Sequence, residues 1–377
     1  MPDQKQFVVT PWKVEGAVDY EKLVKDFGTQ LIDDRLRARI TKKAGFSNPL
    51  LSRRVFYSHR DLGWLLDMYD KGEEFFLYTG RGPSGGTHLG HIIPYTFNKY
   101  LQDAYDAELW FQVTDDEKYL VKELEQEEIS EFARQNIADF IACGFDPKKT
   151  HVLLDSQCIK TLYPIALKIA KRTTFSTAKA VFGFTNETNV GLPFFTALQA
   201  APCFLPSVLH KRNIPCLIPA AIDQDPYWRI ARDVAPKLGF HKPAAIHCKF
   251  ISGLGKGGKM SSSEPETTIF MDDSPTVIKQ KVMRSFTGGA PTEEQQRLEG
   301  GDPSICPVYS YYTYLFAKSD AELQKIFDEC EEGELMCGPD KTRLAGRVAA
   351  FVSDFQKKKQ KALKRVDDFL FREEDFT

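Results

Sequence analysis

The sequence has no C-x-x-C pair, although it holds eight cysteines, and its seven histidines show no zinc-finger spacing. A structural zinc site is therefore not expected, and the scattered cysteines read as reduced, mostly core residues. No apolar run approaches the roughly 18 residues that would cross a bilayer. The opening stretch, MPDQKQFVVTPWK, lacks the apolar centre of a secretory signal. There are no internal repeats and no low-complexity tracts. Net charge is almost absent too: 50 Lys and Arg against 52 Asp and Glu leave −2. A protein that coats nucleic acid nonspecifically should be strongly basic, so that class is excluded, whereas a local basic face is not. The expectation is a soluble, cytoplasmic protein with no membrane or DNA partner.

What is present is a globular composition, 42% hydrophobic and 27% charged, in 377 residues, enough for two or three domains. Residues 1–70 are expected as an N-terminal extension: a short hairpin around Val8, Val9 and Trp12, then a helical stretch from Asp19 to Arg39. From Arg35 to Arg54 there are seven basic residues and no acid, either a solvated face or a phosphate contact surface. Residues 71–275 alternate strand and helix patterns. The apolar run at 74–79 ends in glycines and reads as a buried parallel strand. Leu89, Ile92, Ile93, Thr96, Phe97, Tyr100 and Leu101 then follow helical spacing. Further strands are expected at 109–113, 151–154, 216–222 and 244–250. This alternation implies a doubly wound α/β sheet. Residues 276–377 read as an all-helical domain whose last long helix, between Lys341 and Arg365, carries nine basic residues against Asp354 alone, giving one positive face.

Two glycine-rich loops carry the chemistry. In the first, Gly80, Gly82 and Gly85 match G-x-G-x-x-G, with Asp103 about 20 residues on, the pattern of dinucleotide-binding oxidoreductases. The helix, however, begins only after the third glycine. His88-Leu-Gly-His91 puts two imidazoles on the first turn of that helix, where free backbone N–H groups already attract anions. Gly90, without a side chain, leaves room for a flat base or sugar. In the second loop, Gly253, Gly258 and Lys259 approach a P-loop, but Met260 stands where a magnesium-binding hydroxyl belongs. With Lys259 and three hydroxyls, Ser261, Ser262 and Ser263, this loop suits closure over a triphosphate.

His88-Leu-Gly-His91 and Lys259-Met-Ser-Ser-Ser263, in that order on an α/β chain, resemble the signature pair of class I aminoacyl-tRNA synthetases. The stretches at 79–84 (TGRGPS), 114–120 (TDDEKYL), 182–185 (FGFT), 198–202 (LQAAP) and 221–227 (AIDQDPY), with Pro11-Trp12-Lys13, resemble the tryptophanyl-tRNA synthetases of the eukaryotic cytosolic type. The tyrosyl enzymes share the fold and both loops. The resemblance implies a Rossmann-like catalytic domain and a C-terminal helical, anticodon-binding domain. It also implies a homodimer acting on L-tryptophan, ATP and tRNA(Trp), with Mg²⁺ accompanying the phosphates. Tryptophan would attack ATP to give an adenylate, which a ribose 2′-OH of the tRNA would then take up. Neither step needs a protein nucleophile.

By the resemblance, His88, His91, Lys259, Ser261, Ser262 and Ser263 serve catalysis. Arg81, Gly82, Gly90, Asp223, Gln224, Lys259 and Met260 bind ATP. Tyr78, Gln112, Glu117, Phe195, Gln199 and Gln224 bind tryptophan, with Glu117 as acceptor for the indole N–H.

Overall fold

A computed structural model describes residues 8–9, 14–15 and 18–376. The expected N-terminal hairpin forms, with strand β1 (Val8–Val9) antiparallel to β2 (Val14–Glu15); Pro11, Trp12 and Lys13 lie outside the described residues. The centre of the molecule is a seven-stranded sheet. Its strands are β3 (Gln30–Leu31), β4 (Phe56–Arg60), β5 (Phe76–Arg81), β6 (Leu109–Val113), β7 (Thr150–Leu154), β8 (Cys216–Ala221) and β9 (Ala244–Cys248), in the order β3-β4-β9-β8-β5-β6-β7. The five strands from β9 to β7 run parallel, and β4 and β3 join antiparallel at one edge.

The chain steps from β5 outward through β6 and β7, then returns to place β8 and β9 on the other side of β5. The reversal makes the β5–β8 boundary a topological switch point, where open sheets leave a crevice. The sequence reinforces it. The two strands pair only at Phe76–Cys216 and Leu77–Leu217. Two residues on, Pro219 has no N–H to continue the ladder. Its carbonyl accepts from the buried Asn98 side chain at 3.3 Å and from the Thr79 hydroxyl at 3.5 Å. Side chains take over where backbone pairing stops, and the strands part.

Alternate strand residues feed two cores, as pleating requires. Leu77, Leu109, Phe111 and Leu217 face one; Phe76, Tyr78, Trp110 and Ile218 face the other. The first core continues into the C-terminal helices through Leu344, Val348, Val352 and Phe355. The second is closed by helices Ile159–Ala170, Gly191–Ala200 and Asp225–Leu238. At the far edge, Val152 of β7 exchanges backbone hydrogen bonds with the tail: its N–H donates to Phe369 at 2.7 Å and its carbonyl accepts from Phe371 at 2.9 Å.

Three expectations change. The stretch from Asp19 to Arg39 is not one helix. Gly28, at φ +62, caps helix Tyr20–Phe27, β3 intervenes, and Asp33 caps helix Asp34–Ala44 through the N–H of Leu36. Residues 1–70 are more than an extension, since they supply two strands of the main sheet. Part of each basic run is paired with acids distant in sequence. Arg39 pairs with Asp67 and Asp70, Arg53 with Asp320, and Arg347 with Glu322. Exposed Lys357, Lys361 and Lys364 remain along one helical stripe, outside ion pairs among the described residues.

One buried pair ties the antiparallel edge to the crevice. Arg60 of β4 holds Asp225, the first residue of helix Asp225–Leu238, through two bonds of 2.6 and 2.8 Å. Burial alone would raise the Asp225 carboxyl, but hydrogen bonds from Arg60 and His247 outweigh it and hold the group well below the usual carboxylate range. Arg60→Met leaves a fully buried carboxylate short of its main partner. The expected cost is about 3 kcal/mol in urea denaturation; a loss below about 1 kcal/mol would mean that His247 and Arg229, whose Nε donates to Asp225 at 2.8 Å, suffice.

Candidate active site

A cavity of about 550 Å³ opens at the carboxyl ends of β5 and β8. It brings together Arg81, Gly82, His88, Gly90, His91, Glu117, Gln199, Asp223, Gln224, Lys259, Met260, Ser261, Ser262 and Ser263. The two loops, about 170 residues apart in sequence, thus form opposite walls of one space.

The first loop is shaped by close approach. A Cβ on Gly80 would lie 2.8 Å from the Gln112 carbonyl oxygen, so a side chain is excluded there. The Arg81 guanidinium folds back onto the turn, donating to the carbonyls of Gly85 at 3.1 Å and Gly86 at 3.0 Å and to the Thr87 hydroxyl. His88 precedes helix Leu89–Tyr105, and the ring of His91 lies against its own, with centroids 3.7 Å apart. The backbone N–H of His88 donates to Nδ1 of His91 at 3.2 Å. That nitrogen must therefore be unprotonated, and the proton of the neutral ring sits on Nε2, a donor. Burial lowers both imidazoles, helped by the positive charges of Arg81 and Lys259: His88 to about 3, and His91 well below the ordinary value. Nδ1 of His88 is buried without a partner among the described residues.

The second loop is a tight reversal. Gly257 and Gly258 adopt φ of +75 and +81, a left-handed conformation that favours glycine. The N–H of Met260 returns to the Ile251 carbonyl at 2.9 Å. Met260, the residue that breaks the P-loop pattern, is only 4% exposed and anchors the loop in the first core. Anchored there, the loop carries Lys259 to 3.2 Å from Asp223 at the end of β8 and 5.1 Å above the Phe250 ring. Ser261 and Ser263 hydrogen-bond each other at 2.9 Å.

Glu117 is buried in helix Asp115–Val121, and its Oε2 accepts from the Thr114 hydroxyl at 3.0 Å and pairs with Lys118 at 2.9 Å. Three expected residues stand behind the wall instead of on it. Tyr78 is fully buried, and its hydroxyl lies against Oε1 of Gln112 and, at 2.9 Å, the Gln199 carbonyl. Gln112 donates to both oxygens of buried Asp155, at 2.9 and 2.8 Å. Phe195 packs edge-on against Tyr227. Asp103 lies on helix Leu89–Tyr105, exposed and paired with Lys99, and is absent from the cavity lining; the dinucleotide reading loses its acidic partner.

Lining residues that sequence reasoning missed include Lys118, Lys122, Tyr227, Trp228, Lys249 and Phe250. Lys249 and Phe250 directly follow β9, and Trp228 lies in the first turn of the helix after β8. The rule that ligands gather beyond the carboxyl ends of parallel strands would have found them.

The two histidines make acid sensitivity a local property. Below about pH 6.5 the unfolded chain takes up protons that folded His88 refuses until about 3. Stability from this residue is therefore present above pH 6.5 and lost as pH falls toward 3. Between pH 6 and 4, native stability should fall more steeply than that of His88→Gln, by up to about 1.4 kcal/mol per pH unit. Urea titrations across this range check it; equal slopes would exclude His88 as the source.

Comparison with known proteins agrees with this geometry. Residues 70–353 match the family model described as tRNA synthetases class I (W and Y). The chain is 46% identical over 366 residues to the tryptophan–tRNA ligase of Pyrobaculum calidifontis, covering 97% of this chain and 98% of that one. The tryptophanyl-tRNA synthetase structure from Giardia lamblia superposes with a TM-score of 0.89 at 37% identity, covering 95% of this chain and 97% of that one. The structure from Encephalitozoon cuniculi, bound to tryptophan, gives 0.86 at 35% identity, covering 94% of this chain and 98% of that one. The chain belongs to the class I tRNA synthetases, in the tryptophan–tRNA ligase family.

Proposed function

We propose that the cavity activates L-tryptophan with ATP and passes it to tRNA(Trp). The observation that carries this reading is the meeting of His88, His91 and Lys259 across one cavity at the sheet's switch point. A tryptophan carboxylate oxygen bonds to the α-phosphorus while the bond to the β-phosphate oxygen breaks, and pyrophosphate leaves. The tRNA hydroxyl then displaces AMP from the acyl carbon. With no protein nucleophile to supply, the residues position groups and stabilise charge. Neutral His91 offers its Nε2–H to phosphate or ribose, and His88 serves beside it. Lys259 exchanges its contact with Asp223 for the departing phosphates, backed by Ser261, Ser262 and Ser263. Arg81, Gly82, Gly90, Gln224 and Met260 complete the nucleotide side.

Magnesium fits as a companion of the phosphates. No group of three or more His, Cys, Asp or Glu among the described residues could hold it, so oxygens of the phosphates and water would supply its ligands. It would neutralise phosphate charge there.

At the other end, the recorded partners of Glu117 use Oε2, which leaves Oε1 to accept from the indole N–H, a donor that needs an acceptor. Gln199 and Gln224 reach the amino acid's polar end. Tyr78, Gln112 and Phe195 act from behind, fixing the wall. The exposed stripe of Lys357, Lys361 and Lys364 gives the helical segment 276–377 a surface for tRNA phosphates. A cytoplasmic location is part of the same proposal.

A homodimer is the quaternary state we infer. On helix Ile159–Ala170, Ile159, Tyr163 and Leu167 stand 42, 46 and 45% exposed at i, i+4 and i+8. Such a stripe on a two-fold interface would meet its own copy. Leu167→Glu should yield a monomer in light scattering, and an unchanged mass would move the interface elsewhere.

The reaction itself is tested by ATP–pyrophosphate exchange across all twenty amino acids. Exchange is expected with tryptophan; faster exchange with tyrosine would sink the reading. In the same assay Lys259→Ala should lower the rate on the order of 100-fold while tryptophan binding holds. Equal losses in both would make Lys259 a ground-state contact.

A further inference from the structure

The segment Thr268–Asp273, just after the second loop, touches three other parts of the molecule. At its start the Thr268 hydroxyl donates to the Ser261 carbonyl at 2.7 Å and accepts from the Ser261 N–H at 3.3 Å. In its middle it runs beside the first loop. The N–H of Leu89 donates to Ile269 at 3.1 Å, and that of Met271 to Thr87 at 2.8 Å. At its end it is gripped by the long helix Cys337–Ala362. Nε2 of Gln356 donates to the carbonyls of Met271 at 2.9 Å and Asp273 at 3.2 Å, and Nζ of Lys359 lies 3.1 Å from Asp272.

Lys359 has a second partner. Its ammonium lies 3.0 Å from Oδ1 of Asp139 in helix Gln126–Ile141. Oδ2 of Asp139 accepts from the Thr87 hydroxyl, whose oxygen accepts from Arg81, the residue that folds the glycine turn onto itself. Lys359 is 5% exposed, Thr87 1% and Asp139 0%. A buried ion pair is weak evidence for stability, because an apolar pair of the same shape often serves as well. What this one does is fix geometry. Through Asp272 it holds the segment Thr268–Asp273, and through Asp139 and Thr87 it holds the first loop. One side chain on the C-terminal helix therefore contacts both the segment bonded to the second loop and the chain of groups that ends in the first.

We propose that Lys359 is a positioning residue for adenylate formation, holding both loops in register from the C-terminal helix. The inference rests on the reaction proposed above. It requires contact with no substrate: its effect passes through Thr87 and Arg81 on one side and through the Thr268–Ser261 contact on the other.

The test is tryptophan-dependent pyrophosphate exchange on the full chain, with tryptophan binding and thermal melting measured in parallel. Lys359→Met should lower kcat on the order of 100-fold, the effect of a roughly 1 Å misplacement, with tryptophan affinity held within about twofold. Lys359→Arg, which keeps the charge, should restore most of the rate. Lys358→Met, which removes a neighbouring exposed lysine paired with Asp354, should leave the rate unchanged. Gln356→Ala keeps the buried charges paired and should cost about tenfold in kcat, the scale of a lost hydrogen bond; it carries the test if Lys359→Met does not fold. A folded Lys359→Met with normal kcat, or a parallel loss of kcat and tryptophan affinity, overturns the inference while leaving the reaction intact. A native enzyme with no tryptophan-dependent exchange overturns both.

Discussion

The parting of β5 and β8 is the constraint from which the site follows. Two neighbouring parallel strands ordinarily stay paired along their length. Here the ladder stops after Leu77 and Leu217 because Pro219 cannot donate, and Asn98 and Thr79 satisfy its carbonyl. The gap is therefore made without leaving that acceptor orphaned, which a buried split would otherwise cost. Most of what lines the cavity comes from these strands and the chain leaving them or their neighbours: the glycine turn after β5, the helix after β8, Lys249 and Phe250 after β9.

Charge is arranged on the same economical plan. Positive groups near the phosphate end are restrained by partners that a substrate can replace or leave in place. Lys259 leans on Asp223, and Arg81 is committed to the turn's own carbonyls. The imidazoles stay neutral because burial and these cations oppose a further charge. Elsewhere part of the basic runs serves the fold. Arg53, for example, donates to the carbonyls of Tyr312, Thr313 and Ala317 and pairs with Asp320, joining the first seventy residues to the C-terminal helices.

Much of this was legible in the sequence, for identifiable reasons. The five parallel strands read correctly because buried strands are short apolar runs between turns. Both loops stood out because glycine and histidine clusters are rare and local. The pieces that escaped are those whose meaning is nonlocal. β4 gains strand structure only by pairing with β9, and β3, two residues long, only by pairing with β4. Lys359 sits among other lysines and is indistinguishable from them until Asp139 and Asp272, far away in sequence, are brought alongside. Tyr78 and Gln112 look like site residues by motif, yet the hydrogen bonds to Gln199 and Asp155 turn them into the cavity's backing.

The contact between the C-terminal tail and β7 has a consequence for solubility. A parallel sheet ends in a strand whose outward N–H and C=O groups can template pairing with another chain. At β7 the outward groups of Val152 are claimed by Phe369 and Phe371, and the Phe371 ring lies 5.3 Å from Trp110. The last residues thus act as a guard against edge-to-edge aggregation, so that proteolytic nicking of the tail would threaten the protein's colloidal behaviour before its chemistry.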